Sequence, residues 1–422
     1  MRTLLADGGE HPGQAGPPSV ARRQPSGLET PWGRGTPSGR EAPSGRWAPA
    51  GEPPLRLVMM HGQQDGPVRL PDGRVLFAGG AGPHLRTLDA TALFHPADTR
   101  WTGTAPLRRA RRMHTLTPLA DGRVLAAGGI TGPQAYPPPA LATAEIYDPA
   151  HETWTPTGEL HEARHSHTAV RLPDGRVLVA GGQRPRDTRA QRTLASAELY
   201  DPDTGAWTPT REMGDARWHH QAVLLTDGRV LVAGGLTDIG RSRSRTLGLC
   251  ELYDPTAGTW TPTGALRDAR CAHQALVLLD GTVLTVGGFG PSAAGDDGRY
   301  DPYGLAGVER YDPAAEVWSP EPSLPWGRGH HRAVLLGTGE VLVCGGADHA
   351  CQDVGYAGAL RYDPGMRSWS VAGPMDTGRW AFGAVLLDDG RVLAAGGVAR
   401  MGAAAPALGA DVPAATAEVF TP

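Results

Sequence analysis

A short apolar run ending in a Gly-Gly doublet recurs seven times along this 422-residue chain, at Gly79-Gly80, Gly128-Gly129, Gly181-Gly182, Gly234-Gly235, Gly287-Gly288, Gly345-Gly346 and Gly396-Gly397. A period of this length means that the chain is built from small units, each unable to bury its apolar face until a neighbour stacks on it. Each doublet ends a short apolar run behind a turn, as in DGRVLFAGG, DGRVLVAGG and DGTVLTVGG. An uninterrupted run of this kind behind Asp-Gly reads as a strand buried on both faces and entered through a tight turn.

Two further signals keep step with the doublet. An aromatic residue is followed seven positions later by Trp in Phe94/Trp101, Tyr147/Trp154, Tyr200/Trp207, Tyr253/Trp260, Tyr311/Trp318 and Tyr362/Trp369. The Asp-Pro or His-Pro between them is a turn signal, so each pair reads as two strands joined by a tight connection. Thirteen residues after each Trp stands His114, His167, His220, His273, His331 or Phe382, opening another Leu- and Val-rich strand. Each unit is therefore four short antiparallel strands, and seven such units predict an all-β, seven-bladed β-propeller.

The chain ends test the ring. ATAEVFTP (415–422) matches ATAEIYDP (142–149) but lacks the following Trp strand, while GRWAPAG (45–51) resembles TRWTGTA (99–105). The N-terminal strand around Trp47 is thus expected to complete the seventh blade, a three-plus-one closure that hides the sheet edges. The propeller then spans residues 46–422. Residues 1–45 hold nine Gly and seven Pro but only five of Met, Leu, Ile, Val and Phe. They are expected to form a disordered tail, with too little apolar surface to offset the entropy of ordering.

Composition removes several functions. The chain has no Lys, which excludes Schiff-base chemistry and Walker-type phosphate loops. Forty basic residues against 44 acidic give a net charge of −4 with no continuous basic stripe, which argues against nucleic acid as partner. No segment approaches the ~20 apolar residues of a membrane span. The start MRTLLADGGE lacks the pattern of a secretory signal, and four Cys are too few for a disulfide scaffold, so a reducing, cytoplasmic setting is expected. Cys344 and Cys351 flank Asp348 and His349 at a spacing that is no standard zinc motif, and Cys344 in its apolar run reads as a core thiol.

The doublet, the Glu-x-Tyr-Asp-Pro segments (Glu145 to Pro149, Glu198 to Pro202, Glu251 to Pro255) and the following Trp resemble the kelch repeat. The resemblance covers roughly residues 46–422 and implies the propeller fold. It leaves function open, because kelch propellers include protein-binding adaptors, sugar epimerases and copper-radical oxidases. The copper-radical branch places a Tyr directly before a copper-binding His on the inner strand. Here the matching positions read His219-His220 and His330-His331, so no Tyr–Cys radical site is expected.

The internal copies separate scaffold from function. Positions shared by all units serve the fold, and positions that break the pattern are candidates for function. By this logic the doublets, aromatics and Trp residues are core. So are Arg111, Arg164, Arg217, Arg270, Arg328 and Arg379, three residues before the His column, with Glu145, Glu198, Glu251, Glu309 and Glu418 as the expected partners of such buried charges. The repeated His residues themselves read as hydrogen-bonded core residues. Their neighbours vary: Met113, Ser166, His219, Ala272, His330 and Ala381 before, Thr115, Thr168, Gln221, Gln274, Arg332 and Gly383 after. Strand alternation would place both sets on one face, at the mouth of the central channel.

His219, His330 and Arg332 are therefore the candidate catalytic group, with Gln221 and Gln274 beside them as ligand-binding residues. His219 and His330 are also candidate ligands for one Fe, Cu or Zn. Tyr303, on a long loop with Asp296, Asp297, Tyr300 and Asp301, and Arg241, in a basic loop, are candidate ligand contacts on the same face. The expected function is a propeller that binds a small polar or anionic ligand, or a protein, at that face. The alternative is a small-molecule enzyme, either an acid/base isomerase or cyclase or a His-metal oxidoreductase. A polar, water-filled channel without a site is the bland reading of the same residues. The apolar loop MGAAAPALGADVPAA (401–415) is a candidate lid or partner surface.

Overall fold

Four consecutive residues between each Asp-Gly turn and each doublet, such as Val75–Ala78, Val177–Ala180 and Val341–Cys344, are buried along their whole length. They are the second strands of seven four-stranded antiparallel sheets. The computed structural model describes residues 44–54, 66–82, 86–132, 139–187, 190–239, 244–291, 300–348, 354–400 and 412–422, with the side chains of 300–303 excepted. Blades 1 to 6 run Val68–Thr104, Thr115–Pro156, Thr168–Thr210, Gln221–Thr263, Gln274–Glu321 and Arg332–Ala372. Blade 7 takes three strands from Gly383–Thr421 and its fourth from Arg46–Pro49, with Trp47 opposite Phe420. The expected closure is thus present, and the inner strands of blades 1 and 7 also meet.

The aromatic pairs sit directly across the outer hairpin of every blade, as in Tyr200 opposite Trp207 with ring centroids 4.9 Å apart. Their polar ends tie blades together. The Tyr200 hydroxyl meets Thr157 Oγ1 of the preceding blade at 2.7 Å, and Trp207 Nε1 donates to the Gly158 carbonyl at 2.9 Å.

The Arg–Glu pairs form as expected. Arg111–Glu145, Arg164–Glu198, Arg217–Glu251, Arg270–Glu309 and Arg379–Glu418 close at 2.6–2.9 Å, with each Arg fully buried. Arg217 also donates to the carbonyls of Gly234 and Leu249. Glu251 meanwhile accepts from the backbone N–H groups of Gly214 and Asp215. Every partner of the buried charge is therefore supplied. Blade 6 departs from the rule: Leu360 stands where the Glu would be, and Arg328 lies over the Tyr356 ring at 5.2 Å. Burial pushes the pKa of Arg328 down to about 10.

Removing one member of such a pair strands the other in the core. Arg217→Leu is expected to cost about 3–5 kcal/mol and the double change Arg217→Leu/Glu251→Leu clearly less, measured by urea unfolding. Additive losses would show that the two side chains act independently.

Candidate functional site

The residue before each repeated His adopts a left-handed backbone: Met113, Ser166, His219, Ala272, His330 and Ala381 all have φ between 49° and 55°. Such a conformation costs a non-Gly residue on the order of 1 kcal/mol. Hydrogen bonds across the blades hold it. The N–H of Ser166 donates to the Met113 carbonyl, His219 to Ser166, Ala272 to His219, His330 to Ala272 and Ala381 to His330, at 3.0–3.4 Å. Six blades are thereby linked in series around the channel mouth.

This kink corrects one expectation. The inner strands begin only after the His column, at Thr115, Thr168, Gln221, Gln274, Arg332 and Gly383. Alternation therefore does not run through the preceding residue, and the two varied sets do not share one face of a strand. Thr115 Oγ1 meets His167 Nε2 at 3.2 Å and Thr168 Oγ1 meets His220 Nε2 at 2.9 Å, both across a blade junction. Gln274 Nε2 donates to the His273 carbonyl, and the buried Arg332 donates through Nε to the Phe382 carbonyl of the next blade. Gln221 is half-buried at the head of its strand.

The repeated His residues are scaffold. All five are buried, and a Cβ on Gly181 would lie 2.8 Å from His220 Cε1, while one on Gly235 would lie 2.8 Å from His220 Cβ. Each His is thus gripped between the doublets of two blades, and only Gly leaves room. Burial and the nearby Arg hold His167, His220, His273 and His331 well below the usual imidazole range, and His114 at about 3.

His219 and His330 come together. Their rings lie edge to face with centroids 6.1 Å apart, meeting across the small Ala272. Trp218 packs on His219 at 4.3 Å, while Phe289 and Trp380 pack on His330 at 5.5 and 5.8 Å. The result is an aromatic recess on blades 4 to 7. Below it, Ala222, Val223, Leu224, Ala275, Leu276 and Val277 are half-buried on the inner strands, so this part of the channel wall is aliphatic.

No three His, Cys, Asp or Glu side chains gather among the described residues in a way that would hold a metal. Two imidazoles alone fall short of the three or four protein ligands of a zinc site, and the donor set does not fit copper or iron either. Cys271 and Cys344 are buried, which pushes both thiols up to about 12, so they are not nucleophiles at neutral pH. Arg241, the Tyr303 side chain, Cys351 and the loop segment 401–411 lie outside the described residues. Arg184, in one basic loop, is paired with Glu162 at 2.7 Å.

Sequence reasoning passed over Arg112, His165, Trp218 and Trp380, two residues before the repeated His. That position varies from blade to blade as much as its neighbours do, which was the available signal.

Comparison with known proteins agrees with this geometry. The Kelch motif family matches residues 164–214, the stretch that carries Arg164, both aromatics and one doublet. The chain is a seven-bladed β-propeller that carries the Kelch motif. It is 30% identical to Kelch-like protein 34 of Homo sapiens over 63% of its own length and 38% of that protein's. It is 28% identical to alpha-scruin of Limulus polyphemus over 60% of its length and 26% of that protein's. The kelch chain thus spans well under half of either relative. A solved fungal alcohol oxidase of the AA5 family, in complex with copper, superposes with a TM-score of 0.67 at 17% identity, covering 90% of this chain and 76% of that one. At that identity the likeness is one of fold.

The neutral buried His column carries a pH signature. In the unfolded chain imidazole titrates near 6.5, whereas in the fold it stays neutral, so the unfolded state binds more protons as pH falls. Stability is complete above about pH 6.5 and is lost toward pH 4, by ~1.4 kcal/mol per pH unit for each such His. His273→Phe, the residue type that blade 7 uses at Phe382, is expected to lower the slope of unfolding free energy against pH by one proton between pH 6 and 4.5. An unchanged slope would mean that His273 is protonated in the fold.

Proposed function

We propose that this kelch propeller is a binding module whose partner, a protein or a small polar ligand, docks on the channel-mouth face at the aromatic recess of blades 4 to 7. The observation that carries the reading is the meeting of His219 and His330 across Ala272, flanked by Trp218, Phe289 and Trp380. Trp218, His219 and His330 are half-buried over the buried Phe289 and Trp380, and partly exposed aromatic side chains with polar edges are the groups that dominate binding energy at interfaces. The repeated residues around them are already committed to holding blades together.

Metal-dependent oxidation finds no ligand set among the described residues.

Affinity capture tests the reading. Wild-type protein, His330→Ala and, on the opposite face, Leu279→Ser would be used with quantitative mass spectrometry. Leu279 is 74% exposed. A partner captured by wild type should fall at least ~10-fold with His330→Ala, equivalent to ~1.4 kcal/mol, and be retained by Leu279→Ser. Stoichiometric Fe, Cu or Zn in the purified protein, lost in His219→Ala, would overturn the reading in favour of a metalloenzyme.

A further inference from the structure

The residues two before the repeated His form a tier at the mouth. Arg112 bridges to Ile130, His165 to Gln183, Trp218 to Leu236, Cys271 to Phe289, Gly329 to Ala347 and Trp380 to Val398. On blades 4 to 7 this tier is apolar and packed, as in the cluster of Ala81, Ala347, Trp380, Ala381 and Val398. On blades 2 and 3 it is polar and unsatisfied.

Arg112 is the anomaly. It is 7% exposed, yet its guanidinium has no ion pair or hydrogen bond among the described residues, and its Nε is buried without a partner. Its chain neighbour Arg111 shows what a buried Arg in this fold ordinarily has, namely a carboxylate at 2.7 Å and two backbone carbonyls. Burial alone lowers the pKa of Arg112, with no acid contributing.

His165 lies close by on the next blade. Its Nδ1 meets Ser166 Oγ at 3.1 Å, and its buried ring lies against the Gln191 side chain. Burial holds the ring down at about 4, against a hydrogen bond with Gln191 that acts the other way, so it is neutral at pH 7. Gln183 Nε2 points to Asp238 Oδ1 at 3.5 Å, and Asp238 Oδ2 is buried and unpartnered.

A largely buried cation with no counter-charge is costly for a fold to hold. Clustered unsatisfied polar atoms in a native protein call for a partner from outside. We propose that Arg112 anchors a carboxylate-binding site on the blade 2 and blade 3 side of the mouth, beside the neutral His165 ring. One guanidinium and one neutral imidazole match a monoanion, and the Asp238 carboxylate behind Gln183 disfavours a dianion such as phosphate. The carboxylate belongs either to a free acid or to an acidic side chain of a docked protein. This inference rests on the mouth face being the binding face and names its ligand chemistry.

The test is calorimetric titration of the full chain at constant ionic strength. The probes are sodium benzoate, benzamide, acetyl-Gly-Glu-Gly-amide and the corresponding Gln peptide. At least one carboxylate probe should bind ~10-fold or more tightly than its neutral counterpart. Arg112→Gln should abolish that difference, and His219→Ala should preserve it, so this site and the aromatic recess can fail separately. Preference for benzoate identifies a free acid as the natural ligand class, and preference for the Glu peptide identifies an acidic side chain. Equal binding of charged and neutral probes, no binding of any, or a difference that survives Arg112→Gln would overturn the proposal. Thermal unfolding adds a second arm. Arg112→Met keeps the aliphatic stem and deletes an uncompensated charge, so Tm should rise by about 1–3 °C. A fall in Tm would show that Arg112 serves the fold and would equally overturn the proposal.

Discussion

The buried Arg–Glu pair is the interaction on which the rest of this propeller depends. In each blade that carries it, the guanidinium holds the doublet carbonyl and the returning chain, while the Glu caps two N–H groups of the incoming loop. The backbone carbonyl of the same Arg accepts from the second Gly of the preceding blade's doublet, as Arg217 does from Gly182. One residue thus joins blade interior to blade junction. Two positions further on comes the left-handed residue whose N–H groups ring the channel. The strained mouth is tolerable because the Arg fixes the chain just before it.

This arrangement explains why the fold was so legible. Gly in the doublet, Arg, Glu, Tyr and Trp each answer a local demand that recurs in every blade, so repetition exposed them without an alignment. Trp47 could be assigned to the last blade because Phe420 lacked its usual Trp, and the two face each other at 5.2 Å. The site was only partly legible. His219 and His330 were found as breaks in a repeated pattern, and they do meet. Their setting was misjudged, because strand periodicity assumes extended backbone and φ near +50° at the key position breaks it. Arg332 looked like a free charge in sequence but is tied to a carbonyl of the next blade. Arg112 was overlooked beside Arg111, since adjacency in sequence conceals that one is paired and the other is not.

Scaffold and recognition are kept apart by this repetition. Where a residue is gripped by two doublets, as His220 is, no freedom remains for a ligand. Variation is allowed one and two residues earlier, where side chains leave the kinked backbone at the mouth. Blades 4 to 7 use that freedom for aromatic and aliphatic surface, and blades 2 and 3 use it for polar groups. The mouth is therefore chemically lopsided on a nearly symmetric frame.

The closing strand has a mechanical corollary. Arg46–Pro49 runs antiparallel to Ala417–Thr421, with Arg46 level with Thr421. Tension transmitted through the segments leading into Arg46 and out of Thr421 would load the first pair of that short ladder before the others. The ladder would then open like a zip, one pair at a time, rather than sharing the load in shear. The ring is accordingly sealed against thermal opening by its aromatic clasp, yet compliant to a pull on its two ends.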